Sequence, residues 1–91
     1  MAAVEAEFTV RSELGLHARP AGLFVTRAGD FECTLEVCRG DECVDGRSIL
    51  SLLSLAAARG TVLRIRADGP DAEEAVEALG AVIESLGDQD V

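Results

Sequence analysis

The chain contains one histidine, set in the run Leu14-Gly15-Leu16-His17-Ala18-Arg19-Pro20-Ala21. Proline is tolerated in the first turn of a helix, where its missing N–H would have had no partner. Pro20 therefore marks a helix start, and His17 stands at or just before it. The first N–H groups of a helix are unpaired and carry the positive end of its dipole, which suits an anion such as phosphate. An imidazole retains an unprotonated, nucleophilic nitrogen near neutral pH. A nucleophile, free amides and the Arg19 guanidinium together can accept a phosphoryl group on His17 and neutralise its charge. Phosphoryl transfer needs positioning and charge neutralisation more than covalent machinery. The competing reading makes His17 a helix-terminal residue with a structural hydrogen bond and Arg19 a solvated surface arginine.

Cys33, Cys38 and Cys43 are evenly spaced and include no Cys-x-x-Cys. An odd cysteine count is weak ground for a disulfide framework. The spacing matches no zinc pattern, and His17 is distant in sequence. No metal site and no cofactor are expected. Cys38 and Cys43 read as a reduced pair of strand residues, with a redox pair as the alternative. The rival functions of other classes are a small Cys/His redox or metal-binding module and an interaction module that is never phosphorylated.

The net charge of −9 argues against nucleic acid and anionic membranes as partners. Residues 71–91 hold seven acids and no base, so the excess is concentrated at the C-terminal end. All eight bases are arginine, among them Arg27, expected near the His17 site. With 48% hydrophobic residues and no Trp or Tyr, aliphatic side chains must build the core. The length suits a single domain over residues 1–91. No signal-peptide pattern or run of transmembrane length is seen, so a cytoplasmic protein is expected.

These groups need elements to hold them. Residues 5–11 alternate as a first strand. Ala21, Phe24, Val25 and Ala28 lie at helical spacing over residues 18–28, and Gly29-Asp30 stops that helix. Phe31, Cys33, Leu35 and Val37 recur at every second position as a strand with one buried face. Gly40-Asp41 is a two-residue hairpin turn, which would set Arg39 opposite Glu42 and Cys38 opposite Cys43. Ser48 is a good N-cap for a helix over residues 49–58. That helix has one apolar stripe for the core (Ile49, Leu52, Leu55, Ala56). A second stripe, Leu50 and Leu53 with Ala57, is rotated away, and such an exposed aliphatic patch marks a docking surface. Residues 61–68 form a strand with Leu63, Ile65 and Ala67 on one face and Arg64 and Arg66 on the other. Asp71 and Glu74 form a capping-box-like pair at the start of a last helix, buried through Ala72, Val76, Leu79, Val82, Ile83 and Leu86 and ended by Gly87. The order is β-α-β-β-α-β-α. Its economical arrangement is an α+β fold: a four-stranded antiparallel sheet with all helices on one face. The other face would carry Arg64, Arg66, Glu36 and Cys38 towards water.

The residues 15–21 and the run Arg47-Ser48-Ile49-Leu50-Ser51-Leu52-Leu53-Ser54-Leu55 resemble the two signatures of the HPr family of the bacterial phosphoenolpyruvate-dependent phosphotransferase system. Two motifs in register over a chain of this length are a specific match. The resemblance implies an open-faced β-sandwich with strand order 1-4-2-3. It implies that His17 is phosphorylated on Nδ1 by enzyme I and passes the group to EIIA-type proteins, with Arg19 stabilising the charge. The chain would be a monomeric carrier and co-substrate of those partners rather than an enzyme. Ala18, Ile49, Leu50 and Leu53 match the family's partner-binding surface. Ser48 matches a position phosphorylated by a dedicated serine kinase in many members. Leu14 and the pattern from Gly69 to Ala75 look more like the nitrogen-regulatory branch than the sugar branch. Ser51 replaces a glycine common in members regulated at the serine.

Overall fold

A computed structural model describes residues 3–85. The elements are β1 (Val4–Thr9), α1 (Ala18–Ala28), β2 (Thr34–Arg39), β3 (Glu42–Asp45), α2 (Ile49–Ser54), β4 (Val62–Asp68) and α3 (Ala72–Glu84). The sheet is antiparallel with order β1-β4-β2-β3. Leu35, Val37, Leu63, Ile65 and Ala67 point to one face and are buried there against Phe24 of α1, Leu52 of α2 and Leu79 of α3. The alternation in β2 and β4 is thus read out directly, as an apolar face covered by helices and a polar face left open. This is the open-faced sandwich expected.

The hairpin also has the expected register, with Cys38 facing Cys43 and Arg39 facing Glu42. Gly40 has φ +59° at the first turn position, a conformation glycine adopts without steric cost. The expectation of a reduced cysteine pair is corrected: Cys38 and Cys43 are joined by a disulfide, their Cα atoms 4.0 Å apart. Direct opposition across the strands brings the two sulfurs within bonding reach. Cys38 is also buried rather than water-facing, because Cys43 and Arg64 flank it on the open face.

Several boundaries move for identifiable reasons. β2 begins at Thr34, after Phe31 and Cys33. The carbonyls of those two residues accept hydrogen bonds from the Arg47 guanidinium at 2.9 and 2.7 Å instead of joining the ladder. α2 ends at Ser54, short of residue 58. Leu55 N–H donates to Leu52 O and Ala56 N–H to Leu53 O in tightened turns, and Ala56 takes φ +51°. The helical phase is lost there, so Ala57 is buried instead of joining the exposed stripe, and Ala56 is exposed. Ile49, expected to face the core, is 41% exposed at the edge of the patch.

Asp71 does occupy the N-cap of α3, yet its carboxylate accepts from Glu32 N–H at 2.9 and 3.1 Å and makes no bond to its own helix. The acids Glu73 and Glu74 remain in the first turn, where the dipole favours them. α3 lies so close on β1 that a Cβ at Gly80 would strike the Phe8 ring. The expected burial of Leu86 and the stop at Gly87 lie outside the described residues.

Candidate functional site

His17 is the N-cap of α1, with extended backbone (φ −90°, ψ −169°). Its carbonyl accepts the N–H of Ala21 at 3.0 Å, while its side chain caps nothing. The ring is half-buried, and Nε2 is buried without a hydrogen-bond partner. Ala18 and Arg19 occupy the first two helical positions, where an N–H has no intrahelical acceptor, and Pro20 has no N–H to satisfy. Both Ala18 and Arg19 are exposed. Among the described residues no carboxylate is paired with Arg19. An imidazole, two open amides and an unneutralised guanidinium therefore converge at one helix mouth.

The loop that delivers His17 is held from below. Leu16 is buried in the core, and its N–H donates to Ala57 O at 2.8 Å. Gly15 has φ +78°, and a Cβ there would come within 2.5 Å of Ala57 O and 3.0 Å of Ala58 Cα. Only glycine lets the two segments approach this closely. Pro20 and Ala21, both buried, anchor the other side. The chain is pinned at residues 15–16 and again at 20–21, leaving residues 17–19 outward.

Arg47 stitches the far end. Its guanidinium donates to Ala28 O at 2.8 Å as well as to Phe31 O and Cys33 O. The start of α2 thus sits at the end of α1, while the segment after α2 sits at the start of α1. The two helices therefore run antiparallel, with His17 and Ser48 at opposite ends of the pair. Ser48 caps α2 as expected, its hydroxyl accepting Ser51 N–H at 3.2 Å. Between Ser48 and the His17 loop, Leu50 is 80% exposed, with Ile49 exposed and Leu53 half-buried beside it.

Arg27 is not near His17. It lies ten residues further along α1, about 15 Å away on the helix axis, paired with Asp30 and stacked 5.1 Å from the Phe31 ring centroid. Residues that sequence reasoning undervalued are Gly15 and Arg47, whose roles depend on long-range contacts. It also treated Leu14 only as a departure from a family pattern, although the side chain is 71% exposed two residues before Leu16. A large apolar residue beside a glycine in a loop was the available signal. Cys33 belongs to no site: it is buried, and burial, reinforced by Asp71, pushes its thiol above the usual value.

An open-faced α+β sandwich that offers a lone imidazole at a helix mouth, beside an exposed aliphatic helix, defines a small phosphoryl-carrier class of protein. Comparison with known proteins agrees. The family model described as the PTS HPr component phosphorylation site matches residues 4–85. Phosphocarrier protein HPr of Pseudomonas aeruginosa is 43% identical over 84 residues, 91% of this chain and 93% of that one. The multiphosphoryl transfer protein of Haemophilus influenzae is 36% identical over 86 residues, which are 91% of this chain and 17% of that protein. The crystal structure of HPr from Bacillus anthracis superposes with a TM-score of 0.87 at 38% identity, covering 92% of this chain and all of that one. The chain belongs to the HPr family, the phosphocarrier component of the phosphotransferase system, and is not a catalyst in its own right.

Proposed function

We propose that His17 is the phosphoryl acceptor: it takes the group from phosphorylated enzyme I and hands it to EIIA-type proteins. The observation that carries this reading is the placement at the start of α1 of the imidazole, the amides of Ala18 and Arg19, which lack an intrahelical acceptor, and an exposed Arg19 that no carboxylate among the described residues pairs. Nε2 is buried, so Nδ1 is the nitrogen we assign as nucleophile. Its lone pair attacks phosphorus as the bond to the donor breaks. Arg19 and the two amides offset the charge without enclosing the group, which leaves it transferable. Ala18, Ile49, Leu50 and Leu53 form the apolar surface on which partners dock, and one domain of residues 1–91 carries the whole function. Incubation with phosphoenolpyruvate and enzyme I should add one acid-labile, alkali-stable phosphate, read by intact mass. Its persistence in a His17→Ala variant would refute the assignment.

Ser48 is the regulatory position in this reading. A phosphate on a helix N-cap is electrostatically welcome, and it would stand two residues before Leu50, at the end of the helix pair away from His17. It acts by placing charge at the docking surface rather than by touching the imidazole. Ser48→Asp should weaken binding to enzyme I while leaving the helical content unchanged. Equal affinities, measured by calorimetry, would remove the regulatory role.

Exposed Leu14 supports a second reading, in which the phosphate serves nitrogen regulation rather than sugar uptake. Presenting the phosphorylated chain to acceptors of both branches in parallel distinguishes the two by the rate of phosphate loss.

A further inference from the structure

The open face of the sheet carries a second cluster of reactive groups, remote from His17. The strand registers set Cys38 opposite Cys43 and beside Arg64, and Glu36 opposite Asp45 and beside Arg66. The two sulfurs and a Glu36 carboxylate oxygen all lie within 4.8 Å of one another. Cys38 is buried, whereas Cys43 is exposed on the wall of an open depression of about 440 Å³ that Glu36, Asp45 and Arg66 also line. The bridge spans only five positions of sequence, in a hairpin already closed by its turn and its ladder. A cross-link over so short a loop removes little chain entropy, so the hairpin does not depend on it.

We propose that this cluster is a metal site gated by reduction: the bridged form binds no ion, and the dithiol form binds one borderline-soft divalent cation, Zn²⁺ or Co²⁺, through Cys38, Cys43 and Glu36. The reductant is a dithiol. One of its thiolates attacks the exposed Cys43 sulfur, the S–S bond breaks, and its electron pair leaves on Cys38. The second thiol of the reductant then displaces Cys43, and the reductant departs as a disulfide. Two electrons and two protons have passed to the cysteines. Metal binding expels those two protons, because the ligands are thiolates. Two sulfurs and one carboxylate leave the fourth position of a tetrahedral ion to water. The Arg64 guanidinium, 3.9 Å from the Cys43 sulfur, favours the thiolate and must swing aside when the cation enters. Glu5, already 3.3 Å from its Nε, is the partner that receives it. The five-residue cysteine spacing hides this site from a sequence pattern; the hairpin register creates it.

The test uses the full chain, reduced with dithiothreitol, desalted without air and titrated with Co²⁺. One equivalent should bind with thiolate-to-cobalt charge-transfer absorption, and Zn²⁺ should displace it. The oxidised protein should show no such band. Cys43→Ser should lose the band, and Glu36→Gln should weaken binding at least tenfold. Cys33→Ala and His17→Ala should bind like the parent chain, and far-UV dichroism should show the reduced protein still folded. Absence of the band in reduced protein overturns the proposal, as does its persistence in Cys43→Ser, unchanged affinity in Glu36→Gln, or unfolding on reduction. None of these outcomes bears on phosphorylation of His17, which is read separately by mass.

Discussion

In the proposed function His17 and Arg19 divide the work of the site by exposure. The imidazole is half-buried and fixed by its place at the helix mouth, whereas the guanidinium is exposed and unpaired among the described residues. A side chain that carries no packing can be removed without harming the fold. Arg19→Ala should therefore slow phosphoryl transfer at least tenfold, about 1.4 kcal/mol of transition-state stabilisation. Stability should change by no more than about 0.5 kcal/mol. Rapid-quench transfer from enzyme I, set beside urea unfolding, separates the two. An unaltered rate would return Arg19 to the role of a solvated surface residue. The place of both residues at a helix start was legible in the sequence, because a helix start is a local matter and Pro20 announces it.

At the scale of elements, α1 and α2 are held antiparallel by one contact at each end. The Leu16–Ala57 hydrogen bond closes one end and the Arg47 guanidinium the other. Arg47 donates to three carbonyls; Ala28 O at the C-terminus of α1 also accepts Phe31 N–H, whereas Phe31 O and Cys33 O lie outside the ladder. Truncating it to Met removes the guanidinium donor from Phe31 O and Cys33 O in a partly buried place. Arg47→Met should cost about 2–3 kcal/mol, measured as a lowered urea midpoint. Lys should recover only part of the loss, since a point charge cannot fork between carbonyls. A Met variant as stable as the parent would show that water replaces the guanidinium. In the sequence Arg47 read only as a positive charge next to a cap. Its partners lie 14 to 19 positions away, and nothing local announces them.

The described residues span 36 × 29 × 19 Å and place their chemistry on two opposed layers. The helical layer carries the His17 site and the apolar patch, while the open sheet face carries the bridged cysteines and the arginine–glutamate rows. Between them, against the core, lies the free thiol of Cys33. Burial raises its pKa in the folded state, with the Asp71 charge adding to the effect. The folded state thus holds this proton more tightly than the unfolded state does. Its contribution to stability is complete below the unfolded thiol value and is lost as pH rises from there through the folded value. In a Cys38→Ser, Cys43→Ser background, stability should fall at alkaline pH more steeply with Cys33 present than with Cys33→Ala. Parallel curves from denaturant titrations at stepped pH would contradict this.

What the sequence by itself determined was everything that depends on near neighbours and on period. Alternation at Phe31, Cys33, Leu35 and Val37 and in residues 61–68 specified a one-sided sheet, Gly40-Asp41 specified the hairpin register, and Pro20 and Ser48 marked helix starts. The family signatures sit on those same local features. Only the tertiary structure decided where α2 stops, that Arg27 is spent at the far end of α1, that Asp71 serves Glu32 rather than its own helix, and that Cys38 and Cys43 are bridged. The Asp71 contact and the path of the chain after α2, where Ala57 O accepts Leu16 N–H, are settled by groups distant in the chain; the Arg27 pair, the end of α2 and the bridge are settled by nearby groups competing for the same hydrogen bond or the same space. Local propensity is too weak to predict the winner of that competition.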